Sequence, residues 1–161
     1  MSMKPKIYLE TTIINYYTAR PSRDVVIAGR QETNREVWPV LFRDFEPYIS
    51  ALVLQEARQG DEQAAQQRLE SIRGVPVLNV YPSIQTLAQQ LMAQHGIPEQ
   101  YPEDALHIAI ATMNGMDFLL TWNFSHINNA FTRAHIRRIV EQAGYQCPEI
   151  CSPEELSGER I

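Results

Sequence analysis

The sequence predicts an α/β fold in which a mainly parallel sheet is covered by helices on both faces, a three-layer α/β/α arrangement. Three observations carry that expectation. Short strand-like runs at 6–9, 48–50, 75–80 and 118–121 alternate with helical stretches, and such alternation joins parallel strands through right-handed crossovers. The run Phe118-Leu119-Leu120-Thr121 is apolar on both faces, as strands inside a parallel sheet are. Residues 105–113 are apolar apart from His107 and Thr112, and a helix with almost no polar face lies inside a protein.

The elements follow in order. Lys6-Ile7-Tyr8-Leu9 forms a first strand, with Glu10-Thr11-Thr12 at its carboxyl end. Thr11 or Thr12 is expected to cap a short helix over 13–18, because a threonine hydroxyl accepts a hydrogen bond from a free helix N–H. Arg20-Pro21-Ser22 breaks the pattern, and a longer amphipathic helix is expected over 24–45, strained by Pro39. Tyr48-Ile49-Ser50 makes a second strand, and a helix over 52–58 carries Glu56 and stops at Gly60. Asp61 caps a surface helix reaching Arg73, Gly74 ends it, and 75–80 is a third strand. Ser83 caps a helix over 84–95, ended by Gly96. Pro102 suits the first turn of the apolar helix, and Glu103 and Asp104 suit the positive end of its dipole. Asn114-Gly115 closes that helix. An amphipathic helix over 130–143 ends at Gly144, and 148–151 is a last strand at an edge, where Pro148 costs little.

At 161 residues the chain suits one domain spanning 1–161, with a core over about 5–152 and a loose tail beyond Glu155. Its 44% hydrophobic and 20% charged content is that of a soluble protein. The net charge of −5 excludes a global basic surface for nucleic acid, so any such contact must use local patches. No apolar run approaches the roughly 20 residues that cross a bilayer. The N-terminus enters strand-like sequence too soon for a secretory signal. Cys147 and Cys151 lie about 13 Å apart in an extended tail at roughly 3.3 Å per residue, beyond disulfide reach. Free thiols and a cytoplasmic location are expected.

In parallel sheets ligands bind beyond the carboxyl ends of the strands. Glu10 follows the first strand, Glu56 lies shortly after the second, and Asn123 follows the fourth. Asp104 opens the buried helix leading into that fourth strand. Acids gathered at one edge repel one another unless a cation sits among them. Oxygen ligands without a cysteine or histidine cluster suit Mg²⁺ or Mn²⁺.

These residues resemble a known family. Glu-Thr-Thr-Ile-Ile at 10–14, the helix with Glu56, Asp-Ala-Leu-His-Ile-Ala at 104–109 and Leu-Leu-Thr-Trp-Asn at 119–123 are similar to a PIN domain, above all to the VapC-like toxins of bacterial toxin–antitoxin modules. The resemblance covers about 6–156 and is most specific over 104–129. It implies a Mg²⁺- or Mn²⁺-dependent endoribonuclease with an RNA substrate, a cognate antitoxin protein and a homodimer. It places metal ligands at Glu10, Glu56 and Asp104, with Asn123 ligating through its amide oxygen or holding the scissile phosphate. Thr11 and Thr121 would orient ligands. The family often has a fourth acid where this chain has Asn123, with His126 the nearby alternative. That departure leaves one ion or two open. It also keeps a second possibility, a decayed PIN-like module that binds RNA or protein without cutting.

Each residue has a plainer role to set beside these. Asp104 suits a helix N-terminus, Glu56 and Glu103 a solvated face, and Asn123 and His126 a turn or cap. His107, one turn after Asp104, is expected to be a satisfied core histidine. Arg133, Arg137 and Arg138 suit a solvated helix face or RNA phosphates, and Tyr16-Tyr17 suit packing more than base stacking.

Overall fold

The structure, a computed structural model, describes residues 3–157. Five strands form one parallel sheet: β1 (Lys6–Leu9), β2 (Glu46–Ser50), β3 (Val77–Leu78), β4 (Phe118–Leu120) and β5 (Glu149–Cys151). Their order across the sheet is β3-β2-β1-β4-β5. From β1 the chain steps outward to β2 and β3, then returns past β1 to β4 and steps the other way to β5. Right-handed crossovers therefore put the intervening helices on opposite faces. Helices α1 (Thr11–Thr18), α2 (Val25–Asp44), α3 (Ala51–Ala57) and α4 (Glu62–Ser71) cover one face. Helices α5 (Pro82–Ala93), α6 (Pro102–Met113) and α7 (Ala130–Gln142) cover the other. The expected three-layer α/β/α architecture is present.

Why the chain folds this way is local. β1 is buried almost throughout because its Ile7, Tyr8 and Leu9 face helices on both sides. In α6 seven of twelve residues are buried, including Ala105, Ile108 and Ala109, which packs this helix between sheet and α5. Asp24, Ser50, Asp61 and Asn129 each accept a helix N–H and cap α2, α3, α4 and α7.

Several expectations are corrected. Glu10, not Thr11 or Thr12, caps α1, accepting from the Thr12 amide at 3.2 Å. Both threonines lie inside α1, past the capping position, and their hydroxyls donate to acids. Ser83 does not cap α5: Pro82 occupies the first turn, and Tyr81 before it makes no side-chain capping bond. The third strand shrinks to two residues at the sheet edge, and α4 stops at Ser71 rather than Arg73. Residues 153–156 form a 3₁₀ turn with a Ser152–Glu155 capping box; of the tail expected to be loose beyond Glu155, Leu156 closes this turn, and residues 158–161 lie outside the described part. The cysteines are free and buried. Among the described residues no helix is long and apolar enough to cross a membrane.

Candidate carboxylate site

The place where the chain reverses its direction across the sheet is the gap between β1 and β4, and ligand sites of open α/β sheets form beyond the strand ends at such a switch. Glu10 leaves β1 there. Its amide donates to the Leu120 carbonyl at 3.1 Å, which ties it to β4. Glu10 is 4% exposed, and its Oε1 receives the hydroxyls of Thr12 and Thr121, both at 2.6 Å. Those hydroxyls accept in turn: Thr12 from the Trp122 amide and Thr121 from the Asn123 amide, both at 2.9 Å. A buried carboxylate oxygen needs such hydrogen-bond donors in place of water.

Glu56 arrives from α3, whose start is fixed by Ser50 at the end of β2. Its Oε1 accepts the Thr11 hydroxyl at 2.5 Å and lies 2.7 Å from Nε2 of His107. Its Oε2 accepts no hydrogen bond among the described residues. Partial burial works to raise the Glu56 pKa, but the bond to His107, the charge of that ring and the Thr11 hydroxyl outweigh it and hold the carboxyl below its ordinary value. His107 is 1% exposed and projects from α6. Burial disfavours its cation, yet the hydrogen bond to Glu56 and the charges of Glu10, Glu56 and Asp104 push its pKa above the ordinary value.

Ligand atoms of Glu10, Glu56 and His107 all lie within 4.8 Å of one another. Asp104, in the first turn of α6, is not in that tight group but feels the charge of His107. Its Oδ2 lies 3.1 Å from Nδ1 of His126. Partial burial lifts its pKa, against the pull of Asn123, His107 and His126. Asn123 sits at the end of β4 with its amide oxygen accepting the His126 amide at 3.0 Å. His126 also stacks on the Tyr101 ring at 3.8 Å between centroids.

No family model matches this sequence, and no curated protein does. Likeness appears in three dimensions. A chain of VapBC2 from Rickettsia felis, solved bound to a DNA fragment from its promoter, aligns with a TM-score of 0.58 at 14% identity, over 91% of this chain and 98% of that one. VapC20 of Mycobacterium tuberculosis, a Sarcin-Ricin loop cleaving toxin, aligns with a TM-score of 0.56 at 18% identity, over 74% of this chain and 92% of its own. The fold is PIN-like.

Within this PIN-like fold the four residues singled out from sequence, Glu10, Glu56, Asp104 and Asn123, sit on elements that meet at one sheet edge. Glu10 and Glu56 converge closely, while Asp104 and Asn123 form a neighbouring hydrogen-bonded set with His126. Among the described residues no lysine or arginine pairs with any of the three acids. Glu56 and Asp104 each face a histidine, His107 and His126, and carboxylate oxygens gathered this closely suit a hard divalent ion.

Sequence reasoning undervalued His107, which is both a buried core histidine and a member of the site. It missed Tyr8 and Ser50. A signal for Tyr8 was available: a tyrosine inside an all-apolar strand needs a buried partner for its hydroxyl.

Proposed function

We propose that this protein is an endoribonuclease dependent on Mg²⁺ or Mn²⁺, acting as the toxin of a toxin–antitoxin pair. The observation that supports this most is the convergence of Glu10 and Glu56 at the switch point of a PIN-like sheet, with no lysine or arginine paired to either among the described residues. Glu10 and Glu56 would hold the ion, with Asp104 joining from the start of α6. A bound ion would supply a water of lowered pKa and neutralise charge on the phosphodiester. Thr12 and Thr121 hold the Glu10 carboxylate in one orientation. Thr11 does the same for Glu56. Asn123, whose amide oxygen already accepts the His126 amide, serves Asp104 more than the ion.

The test is cleavage of RNA by the purified protein with Mg²⁺ or Mn²⁺, against Glu10→Gln and Asp104→Ala. We expect cleavage lost on chelation and reduced at least about 100-fold in either variant, given the 10²- to 10³-fold cost typical of losing one electrostatic stabiliser. Activity untouched by both substitutions would rule out this site. Failure to cleave or to bind either ion would favour the module that binds without cutting, the reading the missing acid at Asn123 supports. A small partner protein encoded beside this one and binding it tightly would support the toxin role.

A further inference from the structure

His107 belongs by distance to the group that surrounds the candidate ion, but hydrogen-bond direction assigns it another task. Its two ring nitrogens have one partner each: Nε2 meets Oε1 of Glu56 and Nδ1 meets the Tyr8 hydroxyl, both at 2.7 Å. The Tyr8 hydroxyl also lies 2.7 Å from Oγ of Ser50, and that oxygen accepts the Val53 amide at 3.2 Å. Tyr8 and Ser50 are wholly buried, so each proton must find a protein acceptor.

One arrangement satisfies all of them. Ser50 donates to Tyr8, Tyr8 donates to Nδ1, and Nε2–H donates to Glu56. The opposite tautomer sets the bare lone pair of Nε2 against a carboxylate oxygen at 2.7 Å. It also reverses the Tyr8 hydroxyl toward Ser50, whose own proton then has no acceptor. A protonated ring still carries its hydrogen on Nε2. In every charge state compatible with this geometry, Nε2 has no lone pair to give a metal.

We propose that His107 is a positioning residue and not a metal ligand: the Ser50–Tyr8 pair and Glu56 together keep its proton on Nε2, which holds Oε1 of Glu56 and leaves Oε2 to face the cation. The cation itself rests on the function proposed above; the placement of the proton does not. The chain of contacts draws residues from β1, β2, α3 and α6 into one support. It makes the orientation of Glu56 depend on the sheet interior.

The experiment is ¹⁵N spectroscopy of the imidazole in the full chain, before and after saturation with Mg²⁺. The expected result is a protonated Nε2 that keeps its proton when Mg²⁺ binds. Tyr8→Phe should shift the Nδ1 resonance while Nε2 stays protonated. Mn²⁺ affinity should fall about 10- to 100-fold in His107→Ala, the usual cost of removing a group that orients a ligand. His107→Gln, whose side-chain amide also donates, should recover most of it. A neutral ring protonated on Nδ1, or loss of the Nε2 proton on adding Mg²⁺, would overturn the proposal. Because the spectrum is read on unmodified protein, folding of the variants does not decide it. A chain with protonated Nε2 that cleaves no RNA would sink the nuclease reading and leave this one standing.

Discussion

Burial pushes both thiols well up, Cys147 to about 11 despite the nearby Arg137 and Cys151 to about 12. In the unfolded chain a thiol titrates near 8.5. A folded pKa raised above the unfolded one means a contribution that is complete below about pH 8.5 and is lost as pH climbs toward 11–12. The loss is at most about 1.4 kcal/mol per pH unit per thiol. Urea unfolding at pH 7.5, 9 and 10 should therefore show the wild type weakening faster than a Cys147→Ala/Cys151→Ala double variant. Parallel decline of the two would contradict the burial argument. At this scale the nearness of Glu10 and Glu56 was legible in the sequence because both follow strands that end at one rim. Tyr8, Ser50 and the true use of His107 were not, since their partners lie 42 and 99 positions apart for Tyr8 and 51 for His107 and Glu56. Spacing along a chain carries no sign of such pairs.

Among the elements, the end of α5 shows where pattern and structure part. Gly96 looked like the helix terminator, yet the left-handed residue is His95, at φ 63°. Glycine is required one position later for another reason. A Cβ on Gly96 would come within 2.7 Å of Ile139 Cδ1 on α7 and 3.2 Å of the Leu91 carbonyl. Gly96→Ala should thus destabilise by about 1–3 kcal/mol through overpacking. His95→Gly should stabilise by about 1 kcal/mol, since a left-handed conformation strains any side chain. Thermal or urea midpoints of the two variants should move in opposite directions. Strand and helix existence was readable because hydrophobic period and cap residues are local. Cap identity at α1 was not: the longer Glu10 side chain reaches the Thr12 amide, while the Thr12 hydroxyl donates to Glu10 and the Thr11 hydroxyl to Glu56, which arrives from α3.

For the molecule as a whole, a net charge of −5 opposes a polyanion, so the proposed function requires local cations to hold RNA. Arg30 of α2 is well placed. Its guanidinium lies 4.8 Å from the Phe124 ring centre and 5.9 Å from that of Trp122. Trp122 is itself anchored beside Glu10 through the Thr12 hydroxyl and stacked on Tyr16 at 5.4 Å. No acid pairs with Arg30 among the described residues. Arg30→Ala should weaken binding of a single-stranded RNA and reduce its salt slope by about one, measured by fluorescence anisotropy in Glu10→Gln protein. An unchanged slope would remove Arg30 from the contact. Tyr16 and Tyr17, stacked on Trp122 and Trp38, are packing residues first, as their sequence context suggested. The strand order has one further effect, on when the protein comes into being. The innermost strand is made first, but its neighbour β4, with Thr121 to clamp Glu10, comes more than 100 residues later. A growing chain therefore lacks the Thr121 clamp on Glu10 until β4 has been made and paired with β1.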